Sequence, residues 1–480
     1  MTVKTPIKDF LLEHAGGEPV SFHMPGHKGS ELYRRCGHGD FLDRIFDCDI
    51  TEIRGADNLF QAEGILKEAQ ERYAELYGVR KSYLQINGSS GANIASILTC
   101  VPKGRKLLMA RNCHKSCFNA LTLGGIQPVY AYPETMEEHG ISGAIPPGEI
   151  ERLLDENPDA EAVILPSPNY YGICSDIKHI AEIVHERNKI LIVDQAHGAH
   201  LKFFSKFGIR GLPMSAEEAG ADLIVNSIHK TLASLTESAL LNVNSDRIDT
   251  DMLEDRLQQM ESTSPSYILM ASLDINASII EEYGEQLFRS WADALDVFYS
   301  EAGSIEGLKH IEKIPEMDWT KMNFSFAEKG LPGDETEKLL MEKGIFIELF
   351  TGDLVMCMSG IGTAERDVRR LVEALREISD EQRRSDSEAA VAFAKADSRL
   401  KQPKLRAELC DIPDSKRKVK ADEAEGCICA ASVIPYPPGI PFICPGERIS
   451  HEAIDYVKAL REKGEKVIGI NENGCIMVGK

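Results

Sequence analysis

No apolar stretch in this chain approaches the ~20 residues that a membrane-crossing helix requires, so no transmembrane segment is expected. The opening run, MTVKTPIKDFLLEHAGG, lacks the apolar core of a secretion signal, and a cytoplasmic location is expected. Basic residues are in deficit: 54 Lys and Arg stand against 76 Asp and Glu, a net charge of −22. That balance argues against nucleic acid or an anionic membrane as partner, and mildly favours cationic small molecules. The 12 cysteines have no disulfide-framework spacing. Cys427 and Cys429 form a CxC, and Cys113 and Cys117 flank His114, but no second pair stands at zinc-finger spacing. Reduced thiols packed as small hydrophobes, with no bound metal, are the expectation. Internal repeats are also missing.

At 480 residues the chain is longer than one core usually serves. Residues 1–60 read as an irregular N-terminal arm marked by HMPGHKG and DITEIRGADNLF. Across 61–300, GILKEAQERYAELYG has helical spacing, and seven short aliphatic or β-branched runs (SYLQI, KLLMA, PVYAY, AVILP, ILIVD, DLIVN, ALLNV) read as strands. Alternation of this kind predicts a mostly parallel seven-stranded α/β sheet covered by helices on both faces. A long helical stretch over about 252–300 leads to a smaller α/β domain at 301–380. Residues 381–480 comprise a charged linker and a C-terminal α+β domain.

The chemistry concentrates at two strand ends. Asp194 closes ILIVD and Lys230 follows DLIVN in NSIHK, 36 residues on. One crossover between neighbouring parallel strands fits that interval and delivers both groups to one sheet edge. A lysine and an aspartate there suit pyridoxal 5′-phosphate (PLP): the amine holds the aldehyde as a Schiff base and the carboxylate keeps the pyridine nitrogen protonated. A lone strand-end aspartate is more often a cap, but a lysine is costly to bury beside an apolar strand without a role. In INGSSGAN, Ser89, Ser90 and Gly91 open a helix whose N-terminus suits a phosphate. His114 in RNCHKS ends on the same edge, where a flat ring can stack on a pyridine. His197 is a cofactor or substrate contact, and a zinc pair with His200 lacks a third ligand. Alternation along an extended NSIHK sends Ser227 and His229 to one side, gripping phosphate, and Lys230 to the other.

HMPGHKG, INGSSGAN, RNCHKS, DQAHG, SIHK and YPPGIPFICPGE, in this order over residues 20–450, resemble the short form of the Orn/Lys/Arg decarboxylases. The resemblance implies a fold-type I, aspartate aminotransferase-like architecture, PLP as cofactor, and an active site at a homodimer interface. It also implies decarboxylation of a basic amino acid, with arginine to agmatine, for polyamine synthesis, ahead of lysine or ornithine. Position by position, Lys230 is then the Schiff-base lysine, Asp194 the pyridinium partner, His114 the stacking ring, and Ser89, Ser90, Ser227 and His229 the phosphate contacts. Glu447 matches a place suited to the substrate's distal cation, from its own or the opposite subunit, and Asp57 and Glu52 are further acidic candidates. Two departures stand out. HMPGHKG starts at His23, with no room expected for the wing domain of the long forms. His197 stands where some long forms have tryptophan. The rivals are an aminotransferase, which usually clamps the substrate carboxylate with a small-domain arginine that DLVMCMS lacks, and an inactive PLP-binding scaffold.

Overall fold

The seven apolar runs become the seven strands of one sheet in the computed structural model, which describes residues 5–384, 405–436 and 439–480. The charged stretch read as solvated helix and linker lies partly outside the described residues. The strands are β1 (Lys81–Gln85), β2 (Lys106–Ala110), β3 (Gln127–Ala131), β4 (Ala160–Pro166), β5 (Ile190–Asp194), β6 (Leu223–Asn226) and β7 (Ala239–Val243). They lie in the order β1-β7-β6-β5-β4-β2-β3. All neighbours pair in parallel except β7, which is antiparallel to both β1 and β6. Nearly every position of β4, β5, β6 and β7 is buried, so the strands read as continuous apolar runs rather than alternating ones. Chain order reverses between β4 and β2, and a crevice at the carboxyl ends of the strands is the expected result.

Eight helices frame the account: α1 (Pro6–Gly16), α2 (Ile65–Tyr77), α3 (Gly88–Cys100), α4 (Lys115–Gly124), α5 (Ile228–Thr231), α6 (Thr250–Met260), α7 (Tyr267–Glu301) and α8 (Glu365–Arg384). In α2 the buried side chains are Leu66, Ala69, Tyr73, Leu76 and Tyr77, a stripe of helical period, and Gly78 ends the helix at φ 71°. The arm is more regular than its sequence suggests. It holds α1 and a short strand, Val20–Ser21, that pairs with Ile345–Phe346. The single long helix expected over 252–300 is two, α6 and α7, with Ser266 capping the second through Leu269 N–H. SerThrSerPro at 262–265 supplies the break, since proline removes a donor and restricts the residue before it.

A second, antiparallel sheet has the order β8-β9-β11-β10, with β8 Lys309–His310, β9 Lys321–Ser325, β10 Leu349–Thr351 and β11 Leu354–Met358. One hydrophobic core joins it to the arm (Val20, Phe22, Leu32) and to α7 (Phe288, Trp291, Leu295). Three backbone segments meet without room for side chains. Gly26 N–H donates to His229 C=O at 2.8 Å, and Ile361 N–H to Thr231 C=O at 2.9 Å. A Cβ on Gly26 would come within 2.4 Å of the Thr231 backbone, and one on Gly362 within 2.2 Å of His27 O. Gly26, the first glycine of HMPGHKG, is therefore a close-approach residue. The last part of the chain docks on the large sheet through Arg111, which donates to Pro441 O and Phe442 O at 2.6 and 2.9 Å and lies against the Phe118 and Tyr130 rings.

Candidate active site

A cavity of about 430 Å³ opens where the carboxyl ends of the strands meet. Asn87–Ser90 enter it after β1, His114 after β2, Pro166 and Pro168–Tyr170 at and after the end of β4, Asp194, Ala196 and His197 at and after the end of β5, and Ser227, His229 and Lys230 after β6, with Met24 arriving from the arm. Lys230 and Asp194 thus line one cavity, as the sequence reading requires.

Asp194 is buried, and its two oxygens are separately held: Oδ2 accepts from Asn93 Nδ2 at 2.8 Å and Oδ1 from Ala196 N–H at 3.1 Å. Burial pushes its carboxyl up, while Lys230, Asn93 and Ala196 pull it back towards the anion. Asn93 Nδ2 also lies 3.2 Å from Ser116 Oγ, which sits 2.8 Å from His114 Nδ1. A polar chain therefore fixes the His114 ring relative to the carboxylate. His114 is also the N-cap of α4, accepting from Ser116 N–H, so the capping and the cavity-lining roles coincide. Burial, Lys230 and Lys115 lower its pKa to about 3, which keeps a flat neutral ring there.

Lys230 Nζ lies 3.0 Å from His197 Nε2. Burial lowers the lysine's pKa against the pull of Asp194 and Glu348. His197 is held neutral by burial, Lys230 and Lys321, so Nε2 accepts from the lysine and Nδ1 carries the hydrogen. That Nδ1 is buried and has no partner among the described residues. Ser227 Oγ donates to Ser89 Oγ at 2.8 Å, which brings the two hydroxyls together at the first turn of α3. No side chain caps that helix. One detail of the sequence reading is corrected. Ser227 is the N-cap of the one-turn α5, so helical geometry rather than strand alternation separates it from Lys230. Gly91 lies inside α3 and does not line the cavity, whereas Gly88 does. His229 Nδ1 faces Ser238 O at 3.0 Å, and burial lowers its pKa to about 4. Contact between Nε2 and a phosphate oxygen then needs the imidazolium, which a dianion favours.

A family profile described as Orn/Lys/Arg decarboxylase, major domain, matches residues 5–315, and one for the C-terminal domain matches 390–473. An arginine decarboxylase of Bacillus subtilis is 33% identical over 99% of this chain and 97% of its own length. An arginine decarboxylase of Bacillus anthracis is 30% identical, over 97% and 95%. The chain belongs to the Orn/Lys/Arg decarboxylase family. Among solved structures, a Francisella novicida lysine decarboxylase superposes with a TM-score of 0.77 at 20% identity, covering 95% of this chain and 78% of that one, and shows the shared fold-type I architecture. The protein is a carboxy-lyase, and its family implies PLP.

The residues present fit that cofactor. An uncapped helix N-terminus with two hydroxyls suits a phosphate, a buried carboxylate suits a pyridinium, a neutral imidazole suits its face, and an amine of lowered pKa suits its aldehyde. The three acidic residues proposed for the substrate have other partners within the chain, and none lines the cavity. Glu447 is buried, paired with Arg111 at 3.1 Å and accepting from Cys444 N–H at 2.9 Å. Asp57 captures the N–H groups of Asn58, Glu63, Gly64 and Leu66 at the start of α2, and Glu52 accepts from Asn58 Nδ2 at 2.8 Å. Helix starts and buried arginines recruit carboxylates for stability, a demand that local sequence does not reveal.

Two contributors escaped the sequence reading. Asn93 stood inside the quoted INGSSGAN, one helical turn past Ser89, where an inward polar residue is a legible signal. Glu348, nearly buried just ahead of β10, pairs with His23 Nδ1 at 2.8 Å and accepts from Met24 N–H at 3.0 Å. It tethers HMPGHKG to the small sheet over a sequence distance that no local pattern covers.

Proposed function

We propose that the enzyme is a homodimer that converts L-arginine to agmatine and CO2 with PLP, a reaction that feeds polyamine synthesis. The observation that carries the cofactor assignment is that Lys230 and Asp194 line the same cavity. The choice of arginine rests on relatives bearing that name at 30–33% identity over nearly the whole chain. Glu237 on the cavity wall and the net charge of −22 favour a cationic substrate.

PLP, when bound, supplies an electron sink for the pair of electrons left at Cα as CO2 departs. Asp194 holds the proton on the pyridine nitrogen. Ser89, Ser90, Ser227 and the first N–H groups of α3 take the phosphate, with His229. His114 would lie against the ring and, being neutral, would add no charge to compete with the pyridinium. Lys230 provides the amine that anchors the aldehyde, and with His197 it keeps a proton available at Nζ to replace CO2 on Cα. The β11 strand, where a related aminotransferase would place a carboxylate-clamping arginine, is buried and has none. A substrate carboxylate left without a cation in a poorly solvated pocket gains by leaving uncharged.

The test is an assay of amine products from arginine, lysine and ornithine with the purified enzyme. Agmatine as the main product is expected; cadaverine or putrescine in its place would reassign the substrate. Lys230→Ala should release no CO2 from any of the three, and turnover in that variant would overturn the mechanism.

A further inference from the structure

Behind the cavity, outside the residues that the reaction uses, lies a fully buried lysine. Lys321, at the start of β9, is 0% exposed, as are Asp318, Thr320, His200 and Thr231 around it. Its Nζ forms an ion pair with Asp318 Oδ2 and donates to the backbone C=O of His197. Asp318 Oδ1 accepts from Thr320 N–H at 3.1 Å and lies 3.2 Å from His200 Nε2. His200 Nδ1 in turn reaches Thr231 Oγ1, the residue after Lys230, at 3.1 Å.

The cluster touches three loops of the cavity wall. Lys321 holds His197 by its carbonyl, and the His197 ring meets Lys230. His200 holds the lysine's own turn through Thr231. Asp318 N–H donates to Gly172 O at 2.7 Å, and Asn323 Nδ2 to Tyr171 O at 2.9 Å, which pins the loop that carries Asn169 and Tyr170. Asp318, Lys321 and Asn323 sit on or beside one strand of the smaller sheet, while His200 comes from the segment after β5 of the large one.

A buried ion pair is weak evidence for stability, because apolar residues of similar volume often serve as well or better. Lys321 therefore needs a reason beyond holding the fold. We propose that Lys321, fastened by Asp318, is a positioning residue for decarboxylation: it fixes the His197 loop against the Lys230 turn and sets a second cation behind the reactive amine. The inference rests on the assignment of Lys230 as the cofactor-binding lysine. Around Lys230 stand Asp194 and His197 from the loop after β5, His114 from that after β2, His229 from its own turn and Glu348 from beside β10. Lys321 opposes protonation of Lys230, whereas Asp194 and Glu348 favour it. A neighbouring cation is one of the ways in which an enzyme keeps a nucleophilic lysine uncharged.

The test compares the full-length enzyme with Lys321→Met and with the charge-balanced Asp318→Asn/Lys321→Met double variant, which spares the fold an unpaired buried carboxylate. The pH midpoint for acetylation of Lys230 by acetic anhydride is read by mass spectrometry in cofactor-stripped protein. The pH dependence of the visible absorption of bound PLP, kcat and KM are read in loaded protein. Lys321→Met should move the Lys230 midpoint upward, and the double variant should move it in the same direction but less, because the opposing Asp318 charge leaves with the cation. Both variants should lower kcat about 10–100-fold with KM nearly unchanged, as misplacement of a reacting group does. An unmoved midpoint and absorption profile, with activity falling only in proportion to folded, cofactor-loaded protein, would overturn the proposal. Lys230→Ala serves as the separate control: turnover there would defeat the assignment of Lys230 itself, whatever Lys321 does.

Discussion

Asp194 shows how a single residue acquires its role from its surroundings. Its carboxylate is held at both oxygens, so Asp194→Asn keeps the shape and loses the charge. That variant should still bind PLP, seen by its absorption, while kcat falls about 10²–10³-fold, the usual cost of removing one preorganised electrostatic contact. Glu261 offers a test of a different kind. It accepts from Ile86 and Asn87 N–H at 3.3 and 3.4 Å beside the phosphate cradle. Burial raises its pKa from 4.5 to about 7. The folded protein thus keeps a proton that the unfolded chain releases above 4.5. The stabilising contribution is complete at acidic pH and is lost as pH climbs through about 7. Glu261→Gln should match the parent at acidic pH and exceed it by about 1–3 kcal/mol at alkaline pH, read from urea midpoints at the two ends.

Among the elements, legibility followed local signal. All seven strands of the large sheet were readable because buried parallel strands are continuous apolar runs, and α2 because its stripe repeats with helical period. The one-turn α5 was not, since four residues leave no period to detect. Nor were α1 and the split between α6 and α7 recognised, although ProIle at the start of α1 and SerPro at 264–265 are the local cues for each. At the site, Lys230, Asp194, His114 and the serines were legible because each lies at, or within a few residues past, the end of a readable strand. Glu348 and Arg111 were not, because their partners lie far away in sequence, and Lys321 was not, because its contact with the His197 carbonyl is equally distant although Asp318 is only three residues away. Arg111 makes the point measurable: it ties the C-terminal elements to the end of β2 and neutralises the buried Glu447. Arg111→Met should cost about 3–5 kcal/mol and reduce hydrogen-exchange protection over 405–480, whereas Arg111→Met/Glu447→Gln should recover much of it.

For the whole molecule, apolar surface left uncovered bears on assembly. No residue of α1 is buried, and Ile7, Phe10, Leu11 and Leu12 are between 57% and 77% exposed. Phe46 is 92% exposed on the same arm. Soluble proteins seldom leave such patches to water unless another surface meets them, and a second copy is the occupant that we propose. Phe10→Glu/Leu11→Glu should halve the mass measured by light scattering after size-exclusion chromatography. An unchanged mass would reject α1 as a contact between copies.

The junction at Gly26, Thr231 and Ile361 carries a consequence for biogenesis. One strap on the Lys230 turn comes from a segment synthesised well before the turn, and the other from one synthesised well after it. A nascent polypeptide halted before residue 361 has the reactive amine but lacks half of its harness. With Lys230 in its proposed role, competence to bind PLP is expected only once translation has passed the smaller sheet, and products truncated before residue 361 should fail to hold it.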